Sequence, residues 1–429
     1  MIRRFLLLLV ITIQMATSLF AQFRKYSNEF LNIGAGARAM GMGNANLSSV
    51  DDATAGYWNP SNLMNVKDFA SINIMHADYF AGIAKYDFFS VAKPIQNNKR
   101  VLGCSIVRFA VDDIPNTLFL VQPDGSLNYN NIQAFSSSDF AMLFSYAQHL
   151  KRIGKLDFNA GANAKIIRRK VGHFAKAWGF GLDAAISTRG KNWTAALMAK
   201  DITTTFNAWS FSFDEKEKEV LYLTNNDIPV KSTELTAPRI AMGGSYNFRI
   251  NKKVNLLTEA NLDFTFDGKR NTLISTKPFS IDPHIGLEAG FKNIYFVRAG
   301  ITNFQRGLAD ADLLNQKKVW ISQPSIGAGF KIKNATIDYA FTNLANQQNP
   351  LYTHVFSFKF NFIKQLILFK KKDPFAVKKQ SLNKGSFKRP VSKPSSFPNK
   401  SSNNKKPVPQ KTAPKKNNNS AAPSIRMHF

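Results

Sequence analysis

The chain has 429 residues and a formal net charge of +29, with 57 lysines and arginines against 28 acidic residues. Its single cysteine, Cys104, excludes an internal disulfide framework. Only 20% of residues are charged, whereas phenylalanine is unusually common at 37 residues, which suits strands that face lipid. The excess of basic residues would ordinarily indicate a nucleic-acid partner, but about half of it lies after residue 369.

The first 21 residues have the pattern of an export signal. Arg3 and Arg4 precede an apolar run at 5–13, and small or weakly polar residues then lead to Ala21. The run is too short to span a bilayer as a helix and has the length of a signal core. We therefore predict a signal peptide at 1–21 and export of the mature chain. An uncleaved anchor helix is the less favoured alternative.

Residues 22–67 form a glycine-rich stretch without strand alternation, and we predict that they form a plug segment inside a barrel. Four glycines there permit tight bends and close backbone approach: Gly34, Gly36, Gly41 and Gly43. Lysine and serine or threonine are missing at P-loop spacing, which excludes a phosphate cradle. Asn59 before Pro60 predicts a turn, because the residue before proline is held extended.

Three charged residues of the plug segment invite a choice between a metal site and internal ion pairs. Asp51 and Asp52 are too few and too close in sequence to predict a calcium loop, which needs more oxygen ligands at alternating positions. We expect them and Arg38 to be buried in the lumen and to pair with each other or with charges of the barrel wall.

Residues 68–363 show the two-residue alternation of strands with two different faces. The last strand is the clearest, because Phe356, Phe358 and Phe360 alternate with Ser357 and Lys359. Fourteen strands are predicted at 69–77, 80–94, 99–111, 137–150, 154–169, 176–189, 191–202, 236–248, 252–264, 281–291, 293–302, 318–332, 335–343 and 352–362. Most are long enough to cross a membrane when tilted.

The connections between these strands are sorted by length. Every second connection is tight: 95–98, 151–153, 190, 249–251, 292 and 333–334. Several of the others are long: 112–136, 203–235, 265–280 and 303–317. Outer-membrane barrels have short turns on the periplasmic side and long loops outside. The sequence therefore predicts an all-β, antiparallel, fourteen-stranded transmembrane barrel in a bacterial outer membrane, with both mature termini periplasmic. A soluble secreted β-sandwich is the alternative.

Residues 364–429 are predicted to be a disordered, periplasmic tail, because they contain few large apolar residues. From residue 370 onward there are 16 lysines and arginines and one acid, Asp373. These lysines are candidate contacts for peptidoglycan, lipid head groups or an acidic protein: Lys370, Lys371, Lys372, Lys378, Lys379, Lys405, Lys406, Lys415 and Lys416. A solvated tether without a partner is the alternative. Nucleic acid is not expected in that compartment.

The sequence contains no catalytic motif of a kind that we can identify. The histidines are scattered: His76, His149, His173, His284, His354 and His428. Neither Gly-x-Ser-x-Gly nor His-Glu-x-x-His occurs. We therefore predict that the chain is not an enzyme and has no cofactor and no metal site.

Three motifs of the plug segment resemble a known family. They are Gly-Ala-Arg-Ala-Met-Gly-Met-Gly at 36–43, Asp-Asp-Ala-Thr-Ala at 51–55 and Trp-Asn-Pro-Ser-Asn-Leu at 58–63, which includes Trp58. Together they resemble the N-terminal signature of the PorV/PorQ family, outer-membrane barrels of Bacteroidetes associated with type IX secretion. The resemblance implies a subunit of a protein secretion or assembly machine. Its partners would be a large translocon barrel and secreted cargo proteins bound by the loops at 112–136 and 203–235.

Two other functions remain open at this stage. The wider relatives of this family are long-chain fatty-acid transporters, which also have fourteen strands and an N-terminal plug. They imply a transporter of hydrophobic small molecules in which the plug segment is a movable hatch. Polar residues on the inward face of the strand at 154–169 weakly favour the secretion reading. A third hypothesis is a barrel that tethers the outer membrane to the cell wall through its tail.

Overall fold

The computed structural model describes residues 27–122, 124–229, 231–308, 318–343 and 352–363. The predicted signal peptide and basic tail lie outside these residues, and so do the nine lysines named in the tail. Among the described residues, no helix is both long and apolar enough to cross a membrane.

Within the described residues, seventeen β-strands make up one antiparallel sheet. In chain order they are β1 (Ala70–Tyr79), β2 (Ala84–Ile95), β3 (Arg100–Asn116), β4 (Gln133–Ile153), β5 (Leu156–Val171), β6 (Ala175–Arg189), β7 (Trp193–Lys200), β8 (Thr205–Phe211), β9 (Lys231–Thr236), β10 (Arg239–Arg249), β11 (Val254–Thr265), β12 (Ile274–Ser275), β13 (Ser280–Phe291), β14 (Tyr295–Leu308), β15 (Lys318–Ile332), β16 (Ala335–Thr342) and β17 (Thr353–Phe362).

Fourteen of these strands close into a barrel, as predicted. β1 pairs with β2 on one side and with β17 on the other, from Ala70 opposite Phe362 to Asp78 opposite His354. β7 pairs directly with β10, so that β8 and β9 stay outside the ring. The short β12 pairs only with the loop-side end of β13. Closure pairs every edge of the ring, which is the requirement for a sheet that crosses a membrane.

The two ends of the barrel differ in their connections. At one, which we call the turn end, six connections of two to four residues join the strands: 96–99, 154–155, 190–192, 250–253, 292–294 and 333–334. Residues such as Asn97 and Asn98 have positive φ there, 55° and 63°, a conformation that asparagine adopts more readily than most residues. The opposite end, which we call the loop end, carries the long connections. Because β1 begins opposite the last residue of β17, the barrel starts and finishes at the turn end.

The wall presents an apolar face outward, and on strands such as β6 and β17 the inward face is small or polar. On β6, Trp178 and Ile186 are more than half exposed, whereas Asp183 and Ser187 on the other face are buried. The same alternation runs along β17, where Phe356 is 55% exposed and Ser357 is 5% exposed. A continuous outward band of large apolar side chains is stable only against hydrocarbon. The chain is therefore a transmembrane β-barrel of the outer-membrane type.

The predicted loop at 203–235 is wrong in detail, because it contains regular structure. β8 continues the wall beside β6, with Ala175 opposite Phe211, and β9 pairs with β8. Between them lies the helix α3 (Glu215–Leu223). The helix begins with a capping box in which Asp214 accepts a hydrogen bond from the Glu217 N–H, and Glu217 accepts one from the Asp214 N–H. Alternation and a capping-box spacing were both present in the sequence.

The described part of the plug segment contains only short elements. A 3-10 turn covers Glu29–Asn32, the helix α1 covers Ala37–Gly41, the helix α2 covers Ala55–Trp58, and a second 3-10 turn covers Pro60–Asn65. A further 3-10 turn, Tyr129–Asn131, lies in the loop between β3 and β4. The segment contacts inward-facing residues all around the ring and then enters β1 at the turn end.

Candidate functional site

The glycines of the plug segment bring its backbone against the wall. Gly43 has φ +63°, and a Cβ there would lie 2.6 Å from the Ile301 nitrogen. Its N–H donates to the Ser325 hydroxyl at 3.0 Å. A Cβ on Gly41 would lie 3.1 Å from the Gly327 Cα. Backbone-to-backbone contact at this distance excludes any larger residue unless the plug segment moves.

The remaining motif residues hold the plug segment to itself and to β1. The Gly34 N–H donates to the Tyr57 hydroxyl at 3.1 Å, and the Gly36 N–H approaches the Met75 sulfur at 3.0 Å. The Trp58 indole N–H donates to the Ala35 carbonyl at 2.7 Å. The Asn59 amide donates to the Leu47 carbonyl, and its oxygen caps the 3-10 turn that starts at Pro60. These interactions give the motif residues a structural role.

A chain of four charged groups joins the plug segment to three strands. Arg38 bonds the Glu288 carboxylate at 2.8 and 3.1 Å. Arg298 bonds the same carboxylate at 2.6 Å and the Asp338 carboxylate at 2.8 Å. All three wall residues are buried. Alternating charges at hydrogen-bond distance compensate one another, whereas removal of any one leaves the network with one charge that is not compensated.

The acidic pair of the plug segment is divided between two environments. Asp52 is buried, lies 3.3 Å from the Lys359 ammonium and accepts the Thr54 N–H at 2.9 Å. Asp51 lies 3.6 Å from the same ammonium, but its side chain is 61% exposed, in contrast to the expected burial. Each carboxylate therefore pairs with the wall, and neither takes part in a metal cluster among the described residues.

The opposite side of the plug segment packs on apolar side chains. Leu63 and Trp58 belong to one core cluster with Tyr86, Phe88 and Val107 of the wall. Tyr57 meets Trp58 and Phe88 edge to face, with ring centroids 5.2 and 5.8 Å apart. The plug segment is thus fixed by apolar contacts on the side of β1 to β5 and by ion pairs on the side of β11 to β17.

A cavity of about 590 Å³ lies above the plug segment, in the loop half of the lumen. We call it the vestibule. Aromatic side chains line part of it: Phe30, Tyr57, Trp58, Tyr79, Phe80 and Phe109. Charged side chains and one histidine line another part: Glu29, Asp139, Arg169, Lys200, Arg239, Asp263, Arg270, Asp282 and His284. A volume of 300 to 1,000 Å³ is typical of small-molecule sites.

The charges of the vestibule are paired unevenly. Arg169 bonds Asp139 at 3.0 Å and Glu234 at 3.3 Å. By contrast, Asp263 and Asp282 lie directly opposite each other on β11 and β13. One Asp282 carboxylate oxygen is buried without a hydrogen-bond partner among the described residues. Such a group is available to a ligand that brings a donor or a cation.

A latch of ion pairs lies where the plug segment begins. Glu29 contacts Arg239 at 2.6 Å and Arg270 at 3.1 Å, and Arg270 contacts Asp267 at 2.5 Å. Burial alone would raise the pKa of Glu29, but the two arginines outweigh it and hold that pKa below its usual value. Burial is likewise outweighed at Asp267, where the hydrogen bond and charge of Arg270 lower the pKa.

Sequence reasoning missed the wall partners of the plug segment, namely Glu288, Arg298, Asp338 and Lys359. The signal available was weak. Each is a charged residue at an inward position of a strand that is otherwise apolar on its outward face. Alternation predicts that they face the lumen but gives no means of choosing their partners, because Arg38 and Glu288 are 250 residues apart.

Comparisons with known proteins identify no family. No family model matches the chain, and no curated protein matches it. Among solved structures, the toluene transporter TbuX of Ralstonia pickettii is 12% identical with a TM-score of 0.48, over 77% of this chain and 98% of that one. The P. putida toluene transporter TodX is 12% identical at 0.48, over 77% and 99%. A Pseudomonas aeruginosa FadL homologue is 11% identical at 0.44, over 76% and 98%. Likeness at this level carries no argument about activity.

Proposed function

We propose that the protein is an outer-membrane transporter that binds small amphipathic molecules in its vestibule, and that the plug segment is its hatch. The observation that carries this proposal is the two-sided lining of the cavity. The aromatic side chains suit the apolar body of a ligand, and the charged side chains next to them suit its polar head. The proposal takes up the second reading of the sequence in preference to the secretion reading.

The plug segment supports a barrier role on the turn side of this cavity. Trp58, Tyr57 and Phe30 form part of its floor. Below them, Gly43 touches β14, and Arg38 joins the segment to the Glu288 network. A molecule bound in the vestibule therefore lies against the plug segment, and passage along the lumen requires that segment to move. Transport would then depend on exchanging wall contacts of the plug segment for other partners.

Binding by purified protein in mild detergent tests the proposal. We would titrate dodecanoate, dodecanol and glucose by calorimetry. We expect saturable binding of both twelve-carbon molecules and none of glucose, because only the former offer an apolar body. The Phe109→Ala variant, which removes one aromatic ring from the lining of the vestibule, should weaken binding of both molecules. The outward-facing Phe356→Ala variant is the matched control and should bind as the unaltered protein does. Absence of saturable binding of either amphiphile would contradict the proposal.

A protein-binding function is the second candidate, and exposed apolar residues at the loop end favour it. Tyr222 and Leu223, at the end of α3, are 79% and 73% exposed. Tyr129, in the loop between β3 and β4, is 67% exposed. Large exposed aromatic and aliphatic side chains are typical of contact surfaces. The PorV/PorQ resemblance implies that these same loops bind secreted cargo. The basic tail would then provide a periplasmic contact with an acidic partner or peptidoglycan.

Copurification from native membranes separates the two candidates. The second predicts a large barrel protein and secreted proteins that are retained by the unaltered chain and lost by a Tyr222→Ser, Leu223→Ser variant. Deletion of 364–429 should remove only periplasmic partners. Recovery of the barrel without any protein, together with a bound amphiphile, would favour the transporter.

A further inference from the structure

A compact cluster of metal-ligating side chains lies at the loop end, away from the vestibule. His173, Asp214 and Glu217 each offer one ligand atom, and these atoms all lie within 4.8 Å of one another. His173 is in the turn between β5 and β6, whereas the two acids begin α3. It is the only such group of three within the described ranges.

The burial of Glu217 sets this cluster apart from ordinary surface charges. Its side chain is 3% exposed, and its carboxylate contacts His173 Nε2 at 2.9 Å and the Asp214 N–H at 2.9 Å. A buried carboxylate needs a compensating charge, and a divalent cation held by these three side chains would supply one. Lys218, the next basic residue of α3, pairs instead with Glu215 at 2.7 Å.

Several contacts join the two segments that carry the ligands of the cluster. The Ser212 N–H donates to the Phe174 carbonyl at 2.9 Å, which joins the turn to the chain leading into α3. The rings of Phe174 and Phe213 stack with centroids 6.0 Å apart, and Phe135 meets Phe174 at 5.2 Å. The capping box fixes both carboxylates, because each accepts a backbone N–H of the other residue.

We propose that His173, Asp214 and Glu217 form a site for a divalent transition-metal ion of the Zn²⁺ type. One imidazole nitrogen and two carboxylate oxygens are ligands that Zn²⁺ accepts, and water would complete a tetrahedron on the exposed side. Bonds of about 2.0–2.2 Å place tetrahedral ligand atoms about 3.4 Å apart. The widest separations in the cluster, which are within 4.8 Å, would have to shorten by up to about 1.4 Å, and the His173–Glu217 contact would have to open from 2.9 Å. The sequence predicted no metal site. That prediction did not include the packing of the β5–β6 turn against the start of α3, which brings the three ligands together.

The ion would act as a clamp between two external connections. It would join the β5–β6 turn to α3 and so fix the helix whose far end exposes Tyr222 and Leu223. The arrangement without metal is a capping box plus a histidine–carboxylate pair. If the metal site exists, metal affinity depends on His173 and on the charge of Glu217; in the arrangement without metal it does not. The charge of Glu217 can be removed while the capping box is kept.

Calorimetric titration of the full chain in mild detergent, first stripped with EDTA, tests the proposal with ZnCl₂ as the probe. We expect one saturable site, at least tenfold weaker in His173→Ala and in Glu217→Gln. A glutamine side chain retains the capping acceptor, so the Glu217→Gln variant removes charge without removing the cap. His149→Ala is the control, because His149 bonds Asn159 at the turn end. CaCl₂ should compete poorly.

Protection of the loop provides a second readout. Zn²⁺ should slow proteolysis between residues 201 and 238 in the unaltered chain and in His149→Ala, but not in His173→Ala. Equal zinc affinity in the unaltered chain, His173→Ala and Glu217→Gln would overturn the proposal. So would the absence of saturable binding by the unaltered chain.

Discussion

The two halves of the lumen are built on different principles. In the turn half, the plug segment is in direct backbone contact with the wall at Gly43, and buried charges such as Arg298 have partners on both sides. In the loop half, a cavity of about 590 Å³ remains, and an Asp282 oxygen has no hydrogen-bond partner among the described residues. The compensated charges of the turn half stabilise the barrel, whereas the loop half combines a cavity with a carboxylate oxygen that a ligand could bond.

The largest effect is expected from breaking the charge network of the turn half. Arg298→Met leaves Asp338 without its guanidinium partner and Glu288 with only Arg38. Loss of one partner from a buried pair should lower the free energy of unfolding by about 3–5 kcal/mol. Urea unfolding in detergent, followed by the gel mobility of unboiled samples, measures it. Lys85→Met is the control, because the Lys85–Asp112 contact at 3.5 Å is exposed and should contribute nothing measurable. Equal midpoints for both variants would contradict the network's role.

A smaller effect should follow from moving the plug segment off the wall. Gly43→Ala introduces a side chain at φ +63° and a contact of 2.6 Å with the Ile301 nitrogen. Gly82→Ala is matched to it, since Gly82 has φ +88° and nothing within 4 Å of the added Cβ. Backbone strain of roughly 1–2 kcal/mol is common to both. Gly43→Ala should therefore unfold at lower urea than Gly82→Ala, and a reversed order would show that the contact does not matter.

Locking the plug segment to the wall tests whether the hatch has to move. The Ala37 N–H lies 3.1 Å from the Ser357 hydroxyl, so cysteines at these positions in a Cys104→Ser background should join the plug segment to β17. The oxidised variant should bind an amphiphile as before but lose at least tenfold in its rate of uptake into proteoliposomes. Reduction should restore uptake. Unimpaired uptake by the oxidised form would mean that molecules leave the vestibule by another route.

The smallest effect concerns pH at the latch. The pKa values of Glu29 and Asp267 are held below their usual values, so both carboxylates release protons more readily in the folded state. Their contribution to stability is complete above the unfolded values of about 4 to 4.5 and is lost as the pH falls through the lower folded values. Limited proteolysis at the loop end should accelerate below pH 4. In Arg239→Gln the acceleration should begin at higher pH, and an unchanged profile would contradict the assignment.

Local alternation was sufficient to predict the ring but not its contents. All fourteen strands of the barrel lie where a two-residue period indicated them, because inward and outward positions differ along each strand. The prediction failed where structure depends on distant pairing. β4 begins at Gln133, before the predicted 137, because its ladder with β3 continues past an irregularity between Val111 and Ile114. The partner of Arg38 and the lining of the vestibule arise from strands brought together only by closure.

The seam between β1 and β17 has a consequence for biogenesis. The plug segment precedes β1 in the chain, and the ring has no closed lumen until residues 354–362 pair with residues 70–78. Bulky groups such as Trp58 are enclosed on all sides in the finished barrel, so we expect the segment to be seated before the final strand arrives. Each chain therefore remains an open sheet with two unpaired edge strands until its last ten strand residues have been added. Truncation before β17 should leave a complete plug segment that no closed barrel surrounds.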